Sequence, residues 1–395
     1  MITQAMIEEC TGCGACADNC PKNCISMKYD KEGFRIPVVD QELCIHCGIC
    51  KKKCPMKKDI YQMVERTKAP KAYAAFSKNE FIHKTSATGG IFFELANYVI
   101  QERGVVFGAV GNCLDGVFHT KAETLEQLKK MQGSKYAQSN TIGIYREVKS
   151  VLKTGKKVLF SGTPCQIGAL YSVLDCDYEN LLTMDVICHG VPSEKVLHKF
   201  IEELEQRKHK KVIHYYRDKE EGWKPPRYAF DYEDGTKESF VSTEIPYNRG
   251  FIQNLYVRKI CTHCQFAKIP RIADITAGDW FGGGLGKKLD PDNKGLSMVT
   301  VNSPKGYRYL RNLLPVLFVK EYPIEKAVNE SEHLGKPPKE NILRPIFFEW
   351  IEKYSFFRVT EILVPNKIIY RVIRKIFIIF IKNKRKIEEK IRGNK

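Results

Sequence analysis

Apolar positions between residues 71 and 209 alternate between short strand-like runs and stretches of helical spacing. The strand-like runs lie at 73–76, 105–110, 158–160 and 181–187. The helical stretches lie at 90–103, 125–131, 142–152, 166–174 and 194–208. Because strands that are separated by helices of this length usually pair in parallel, the pattern predicts an α/β domain. Its sheet should be mostly parallel and covered on both faces.

The pattern changes on either side of this region. Short β-type segments follow at 212–217, 227–232 and 237–241, with Glu233-Asp-Gly235 as a hairpin turn between the last two. Two short strands are also expected before residue 40, in Ile25-Ser-Met and in Phe34-Arg-Ile-Pro-Val-Val. We therefore predict four units: a small α+β unit at 1–66, the α/β domain at 71–209, a smaller β-containing unit at 210–345, and a helical tail at 346–395.

Charge is concentrated at the end of the chain. The 395 residues include 64 Lys or Arg and 46 Asp or Glu, a formal charge of +18. Residues 366–395 carry eleven of the basic residues and two glutamates, which accounts for half of the excess. We find neither a nucleic-acid reader motif nor basic residues interleaved with aromatics, so we expect no nucleic-acid partner.

The basic tail has two interpretations. Apolar residues recur there at helical spacing from Ile368 to Phe380, with basic residues mostly on the other side. This pattern fits a helix on an anionic membrane surface, and it also fits a terminal helix that docks on the protein. No run reaches the ~20 apolar residues of a membrane span, and the first ten residues lack a secretory signal. We expect a cytoplasmic protein, with the tail as its one candidate membrane contact.

Nine of the 15 cysteines lie between Cys10 and Cys54, and eight of these nine form two copies of one motif. Each copy reads C-x2-C-x2-C-x3-C-P, and the second begins 34 residues after the first. In two-cluster ferredoxins the fourth cysteine of each copy serves the other 4Fe-4S cluster. We assign a first thiol set, Cys10, Cys13, Cys16 and Cys54, and a second thiol set, Cys44, Cys47, Cys50 and Cys20. Zinc is the alternative metal. Residues 1–60 closely resemble the bacterial two-cluster ferredoxins, and Cys24, outside both sets, is expected to be a packed thiol.

Four later cysteines form a candidate third thiol set: Cys165, Cys188, Cys261 and Cys264. The first two each follow a predicted strand, and the last two form a C-x2-C pair. Buried thiols with a zinc pair are the alternative, and so is a nucleophilic Cys165 with His189 as its base. Cys113 and Cys176 are expected to be packing residues.

Three small-residue loops accompany these strands: Thr85-Ser-Ala-Thr-Gly-Gly90, Gly133-Ser-Lys-Tyr136 and Phe160-Ser-Gly-Thr-Pro-Cys-Gln166. Loops at the carboxyl ends of parallel strands bind cofactors in α/β sheets, and free N–H groups at a helix start attract phosphate. A generic turn before a helix is an equally good explanation of each loop taken alone.

These loops, together with Asp185-Val-Ile-Cys-His-Gly-Val-Pro-Ser193 and Ala273-Asp-Ile-Thr-Ala-Gly-Asp-Trp280, resemble one family. It is the coenzyme F420 hydrogenase/dehydrogenase beta-subunit family, which includes 7-hydroxymethyl chlorophyll a reductase. The resemblance covers roughly residues 70–285. It implies an FAD-binding α/β domain with a 4Fe-4S cluster, held by the third thiol set, near the flavin. It also implies the flavin-binding residues Thr88, Gly89, Gly90, Ser134, Lys135, Tyr136, Gly162, Thr163, Pro164 and Gln166. Lys135 is expected to contact phosphate or a flavin oxygen.

The expected function is electron transfer between a two-electron substrate at FAD and one-electron 4Fe-4S carriers. The partner would be a redox protein or ferredoxin. The alternative is an electron-transfer subunit that has no substrate of its own. The sequence identifies neither the substrate nor a catalytic residue, and the resemblance does not establish the use of coenzyme F420.

Overall fold

A computed structural model describes residues 2–280, 288–366 and 378–379 of the chain. Its strands are β1 (Ile25–Tyr29), β2 (Arg35–Val39), β3 (Lys71–Ser77), β4 (Val105–Asn112), β5 (Gly116–Ala122), β6 (Val158–Gly162), β7 (Leu181–Val186), β8 (Val212–Asp218), β9 (Arg227–Tyr232), β10 (Lys237–Val241), β11 (Ile275–Asp279), β12 (Ser297–Val301) and β13 (Leu317–Tyr322).

The described α-helices are Gln4–Glu8, Ala15–Asp18, Ile49–Lys52, Glu80–Thr85, Ile91–Gln101, Leu125–Met131, Ile144–Lys153, Pro164–Leu174, Glu194–Lys208, Pro246–Ile252, Pro304–Asn312, Ile324–Glu330, Glu332–Gly335, Arg344–Ile351 and Phe356–Leu363. Short 3-10 helices lie at Pro55–Lys57, Ile60–Met63 and Lys259–His263. The strands and helices predicted between residues 71 and 241 are present, with ends shifted by a few residues.

The small N-terminal unit contains one antiparallel strand pair, β1 with β2, as the sequence predicted. The cysteine loops precede short helices, Ala15–Asp18 and Ile49–Lys52, and each helix starts after a glycine with a left-handed backbone. Such a conformation costs a glycine little, which explains why the same residue type stands at this point of both motif copies.

The main sheet has eight strands in the order β13-β3-β12-β11-β7-β6-β4-β5. Its centre, β11-β7-β6-β4, is parallel. Strand β3 points the same way, because it is antiparallel to β12, which is itself antiparallel to β11. Five of the eight strands therefore share one direction, and the mostly parallel α/β sheet predicted from the sequence is confirmed. Strands β5, β12 and β13 run antiparallel to their neighbours.

Both faces of this sheet are covered. Phe107 and Phe160 pack with Tyr145, Ile167 and other residues of the helices Ile144–Lys153 and Pro164–Leu174. On the opposite face, Leu159 and its neighbours pack against the helices Ile91–Gln101, Leu125–Met131 and Pro304–Asn312. The alternation of faces along β6 follows from the two-residue repeat of a strand, and burial on both sides explains its uninterrupted apolar sequence.

The predicted boundary at 209/210 does not divide the structure into separate sheets. Strands β11, β12 and β13 lie beyond that boundary and belong to the main sheet, whereas β10, β9 and β8 form a separate three-stranded antiparallel sheet. The boundary follows the change of local pattern at residue 210, and a strand that joins a sheet through pairing distant in sequence leaves no mark in its local pattern.

The structure also bears on the predictions for Cys113 and Cys176, for a membrane span and for the tail. Cys113 is buried as predicted, but Cys176 is exposed, because it lies in the turn after the helix Pro164–Leu174 and not in the core. Within the described residues, no helix combines the length and apolar character that crossing a membrane requires. The predicted tail helix at 366–395 lies outside the described residues, apart from residues 366, 378 and 379.

Candidate metal centres

The first thiol set surrounds an opening in the N-terminal unit. Cys10, Cys13, Cys16 and Cys54 all line one cavity of about 400 Å³. Burial, reinforced by the neighbouring Cys10 and Cys54 thiols, raises the pKa of Cys16 to about 12. A buried thiolate needs a positive partner, so this group of four suits an iron cluster better than it suits free thiols. The structure thus brings together the four cysteines that the motif assigned to one centre.

The second thiol set lines a separate cavity of about 380 Å³. Cys20 comes from the first motif copy, and Cys44, Cys47 and Cys50 come from the second, so the exchange of the fourth cysteine is present in the geometry. Cys24 also borders this cavity, with its sulfur 3.3 Å from that of Cys20. It is buried among Ala17 and Ile25, consistent with the packed thiol that the sequence predicted.

The described residues show no group of three or more Cys, His, Asp or Glu side chains placed to hold one metal ion. A zinc site would draw four sulfurs to about 2.3 Å from one centre. The C-x2-C-x2-C-x3-C-P spacing of both motif copies is that of the two-cluster ferredoxins.

Gly12 allows a close approach beside the first set. Its φ is +71°, and a Cβ atom there would lie 2.7 Å from both Arg258 Nη2 and Gln138 Oε1. Its backbone N–H donates to the sulfur of Cys10 at 3.3 Å. Hydrogen bonds to ligand sulfurs are one means by which a protein adjusts the potential of a cluster.

The third thiol set comes together at the carboxyl edge of the main sheet. Cys165 is the second residue of the helix after β6, Cys188 follows β7, and Cys261 and Cys264 lie in and just after a 3-10 helix. Burial raises the pKa of Cys165 to about 12, and the Cys264 and Cys261 thiols contribute to that shift. The pKa of Cys188 is raised well above its usual value by burial and then by the other three thiols.

Backbone pairing explains why Cys188 and Cys261 meet. Ser193 N donates to Tyr256 O at 3.0 Å and Arg258 N donates to Val191 O at 2.9 Å, so the segment after β7 runs beside residues 256–258. Gly190 lies within this contact with a φ of +124°, and a Cβ atom there would come within 2.4 Å of Val257 Cγ1. A larger residue would push the Cys188 loop away from Cys261.

The three sets form a row with the first set in the middle. On one side, the thiol of Cys16 interacts electrostatically with that of Cys50 in the second set. On the other side, the thiol of Cys13 interacts with that of Cys165 in the third set. The sequence assigned the members of each set but could not give this order.

Arg258 binds the loop of the first set and acts electrostatically on the third set, and no sequence pattern pointed to it. It is 4% exposed. Its Nη1 donates to Cys10 O at 3.1 Å, and its Nη2 donates to Gln138 Oε1 at 2.9 Å. Its positive charge lowers the pKa values of Cys10, Cys165 and Cys261, against the larger effect of burial. An arginine three residues before a C-x2-C pair was the one available signal.

The predicted flavin loops lie along the same edge of the sheet. Thr88 donates to the carboxylate of Asp279 at the end of β11, and Gly89 N donates to Ser297 Oγ at 3.0 Å. The ring of Tyr136 packs edge-on against Tyr228, with centroids 5.1 Å apart. The electrostatic effects of Arg217 and Asp279 reach Tyr136, so the loops at 88–90 and 134–136 face a common region.

The third loop starts the helix Pro164–Leu174. Gln166 Oε1 accepts from Thr163 N at 2.9 Å, which closes a capping box, and Gln166 Nε2 donates to Ser139 Oγ at 2.8 Å. Pro164 occupies the first turn, where its missing N–H costs nothing. Gly162, Thr163, Pro164 and Gln166 are therefore ordered around the N-terminus of the helix that carries Cys165.

Lys135, whose contact with a flavin stays a prediction, lies beside the end of a helix. Its Nζ donates to the carbonyl oxygens of Lys130, Met131, Gln132 and Gly133 at 2.8–3.3 Å. The ammonium group therefore caps the carboxyl end of the helix Leu125–Met131, because free carbonyls at a helix end attract a cation. Burial lowers the pKa of Lys135 to about 8.

The pairing of Cys165 with His189 as nucleophile and base is not formed. His189 Nε2 lies 3.1 Å from the carbonyl oxygen of Phe251, and its ring packs edge-on against His333. The sulfur of Cys165 lies 3.2 Å from Thr163 Oγ1. Each side chain is therefore engaged with a different neighbour.

Two family models match separate parts of the chain. Residues 9–58 match the family model described as "4Fe-4S dicluster domain". Residues 155–326 match the model for the C terminus of the coenzyme F420 hydrogenase/dehydrogenase beta subunit. The molecule is thus an iron–sulfur electron-transfer protein. It carries a C-terminal domain of the coenzyme F420 hydrogenase/dehydrogenase beta-subunit family and an N-terminal 4Fe-4S dicluster domain.

Individual relatives cover different parts of the chain. An uncharacterized protein of Methanocaldococcus jannaschii is 25% identical over 198 residues, which are 44% of this chain and 54% of that protein. The chain therefore spans about half the length of this relative. A ferredoxin-like protein of the nif region of Rhizobium leguminosarum is 37% identical over 62 residues, 14% of this chain and 89% of the relative. A chain of the F420-reducing [NiFe] hydrogenase complex from Methanosarcina barkeri superposes with a TM-score of 0.46 at 20% identity, covering 78% of this chain and 97% of that one.

Proposed function

We propose that the protein is an FAD- and iron–sulfur-dependent oxidoreductase that moves electrons between a two-electron substrate and a one-electron carrier. The observation that supports this most is the row of three thiol sets, whose thiols interact electrostatically, Cys50 with Cys16 and Cys13 with Cys165. The row begins at the exposed Cys47 and ends at the sheet edge where the flavin loops lie.

Different residues of the chain would hold each of the proposed cofactors. The first and second sets would each hold one 4Fe-4S cluster, and the third set would hold another. When bound, the clusters supply one-electron transfer and FAD supplies the conversion between one and two electrons. The chain keeps the first site dry with apolar neighbours, including Met6, Ala15 and Met56. Thr163, 3.2 Å from the sulfur of Cys165, offers a hydroxyl to the third site.

At the edge of the sheet where the flavin loops lie, one buried hydrogen-bond donor has no partner among the described residues. Arg217 Nη2 donates to Trp223 O at 2.8 Å, but its buried Nε has no acceptor among the described residues. The charges of Arg217, Lys219 and Lys224 act on the buried Asp279, which lies beside Thr88. A buried, unpaired N–H in a cationic setting fits a ligand that brings oxygen acceptors and negative charge, as a flavin dinucleotide does.

A second function is favoured by a different observation. Thr88, Lys135 and Gln166 already use their polar groups within the protein. If these residues keep those bonds, the chain would serve as an electron-transfer subunit, relaying electrons between partner proteins with no substrate of its own.

Cofactor analysis after anaerobic reconstitution separates these functions. We expect about twelve iron atoms per chain, four for each set, and one extractable FAD. Cys188→Ser should lose about four of those iron atoms, whereas Cys176→Ser, at an exposed cysteine outside all sets, should retain them. About eight iron atoms in the unaltered chain would remove the third centre. Absence of FAD would contradict the enzyme and support the relay subunit.

The electron donor forms a further test. If FAD is present and reduced coenzyme F420, NADH or NADPH reduces it, the protein acts on that substrate directly. If FAD is present and all three leave it oxidised, the two-electron reaction depends on a partner subunit.

A further inference from the structure

The outer end of the row is open to solvent. Pro21, Lys22, Ile45, His46 and Cys47 line the cavity of the second set and are all exposed, and we call these five residues the outer patch. Ile45 is 57% exposed, and Leu43, two residues before it, is 56% exposed. An exposed apolar side chain next to an exposed ligand cysteine marks a place where another protein can approach the centre closely.

Among the described residues, the lysines around the outer patch have no ion-pair partners. Lys22 belongs to the patch, and Lys51 and Lys52, both exposed, follow Cys50 on the helix Ile49–Lys52. Over residues 2–280, 288–366 and 378–379, no carboxylate lies within ion-pair distance of any of the three. The acidic neighbour Asp40 uses its carboxylate to accept the N–H groups of Glu42 and Leu43.

The next lysines along the chain do form ion pairs, so their absence is confined to the lysines around the outer patch. Lys53 and Lys58 both pair with Asp175, at the end of the helix Pro164–Leu174, and Lys57 pairs with Glu9. One lysine-rich segment thus has two parts. Lys53 and Lys58, which share the carboxylate of Asp175, join the N-terminal unit to the helix Pro164–Leu174. The part beside the second set has no ion pair among the described residues.

We propose that the outer patch and Lys51 and Lys52 form the docking site of a small acidic one-electron carrier protein of the ferredoxin class. This rests on the proposed function. A positive rim around an apolar centre is complementary to an acidic carrier, and such charges mainly accelerate the encounter. In the complex one electron moves between the carrier's centre and the second site. One partner is oxidised by one electron, the other is reduced by one, and no bond or proton changes.

Charge reversal tests the site. The anaerobically reconstituted full chain would be mixed with a reduced acidic two-cluster ferredoxin, with both binding affinity and the rate of electron transfer recorded as salt is varied. Lys51→Glu combined with Lys52→Glu should lower the rate constant about tenfold at low ionic strength and flatten its salt dependence. The matched control is Lys129→Glu with Lys130→Glu, an exposed pair on the helix Leu125–Met131. It carries the same charge change and should leave the rate unaltered.

Several outcomes overturn the docking site without touching the proposed function. Equal rates for the two double variants would do so, provided that both hold their iron and are reduced normally by dithionite. So would faster reaction with a basic cytochrome than with the acidic ferredoxin. Binding of anionic vesicles that is lost in the Lys51/Lys52 variant, without any effect on ferredoxin, would assign the patch to a membrane instead. A chain without iron would refute the proposed function, and ferredoxin binding would still be measurable by itself.

Discussion

Arg258 and Cys10 are hydrogen-bonded across the junction between the N-terminal unit and the main sheet, with Arg258 Nη1 3.1 Å from the Cys10 carbonyl oxygen. The same guanidinium donates to the carbonyl oxygen of Arg35 and to Gln138 Oε1. Gln138 in turn donates to the carbonyl oxygen of Thr11 at 2.7 Å. One buried cation therefore fixes the loop of the first thiol set and lies close to the third.

Two substitutions at Arg258 should separate the effect of its positive charge from the effect of its hydrogen bonds. Arg258→Gln removes both, so the potential of a neighbouring centre should fall, on the order of tens of millivolts, because a positive charge stabilises the reduced form. Stability should fall by about 2 kcal/mol, since buried carbonyls lose their donors. Arg258→Lys should keep most of the potential and lose most of that stability.

The readouts are a redox titration followed by electron paramagnetic resonance and anaerobic urea unfolding. A potential that shifts equally in Arg258→Gln and Arg258→Lys would show that charge is not the cause. If neither stability nor potential changes in either variant, Arg258 has no role at the junction.

Asp18 should act as a helix cap supplied from another unit. It is fully buried, and its carboxylate accepts the N–H groups of Gly143 and Arg146 at the start of the helix Ile144–Lys153. Asp18→Ala should cost about 1–2 kcal/mol, and Asp18→Asn less, because an amide oxygen can still accept. The readouts are urea unfolding and protease cleavage in the linker at 67–70.

The control for Asp18 is Thr124→Ala, which removes the cap of the helix Leu125–Met131 within one unit. Both alanine variants should lose similar stability, but only Asp18→Ala should speed cleavage of the linker, because it loosens the contact between units. Equal cleavage in the two variants would contradict the capping role across the junction.

Sequence reasoning found the cysteines because their chemistry depends on local spacing. The C-x2-C-x2-C-x3-C runs required no knowledge of the fold, and the exchange of Cys20 and Cys54 between sets follows from the ferredoxin pattern. The third set needed a resemblance, since Cys165 and Cys261 are brought together by strand order and by the pairing of residues 191–193 with 256–258. No local pattern encodes that approach.

The residues that sequence reasoning missed are polar and buried. Arg258 and Asp18 look like ordinary surface residues in the sequence, and their roles arise from contacts with residues more than 100 positions away. Lys135 differs from these two residues, because its Nζ donates to carbonyl oxygens at the end of the neighbouring helix Leu125–Met131, and its contact with a flavin stays a prediction. Strand β5 was missed for its polar His119-Thr-Lys121, which an antiparallel edge tolerates and a buried strand does not.

We expect Gly168 to be essential for the position of Cys264. It lies in the helix that begins beside Cys165, and a Cβ atom there would come within 2.6 Å of the Phe266 ring. Gly168→Ala should therefore displace Phe266, two residues after Cys264, and cost about 1–3 kcal/mol. Iron bound by the third set should fall in the same variant, as measured after reconstitution.

A compensating double variant tests whether contact with the Phe266 ring causes the loss of stability and iron. Gly168→Ala combined with Phe266→Leu restores space and should recover much of the lost stability and iron, whereas Phe266→Leu alone should lose stability through a cavity. If the double variant is no better than Gly168→Ala, the contact with Phe266 is not the cause.

His119 should make stability depend on pH. Its ring stacks on Phe160 and its Nε2 lies 2.8 Å from the Ser161 carbonyl oxygen, and burial lowers the pKa of His119 to about 4. An unfolded histidine titrates near pH 6.5, so between pH 6.5 and 4 the unfolded chain binds a proton that the folded chain does not. The stability from a neutral His119 is thus complete above pH 6.5 and is lost as the pH falls.

Lowering the pH from 7.5 to 5.5 should reduce the free energy of unfolding by about 1.3 kcal/mol through His119. His119→Phe keeps a ring on Phe160 and should remove that part of the slope in anaerobic unfolding, whereas His198→Phe, at an exposed position, should not. Parallel slopes for the unaltered chain and His119→Phe would mean that the buried ring does not control the acid sensitivity.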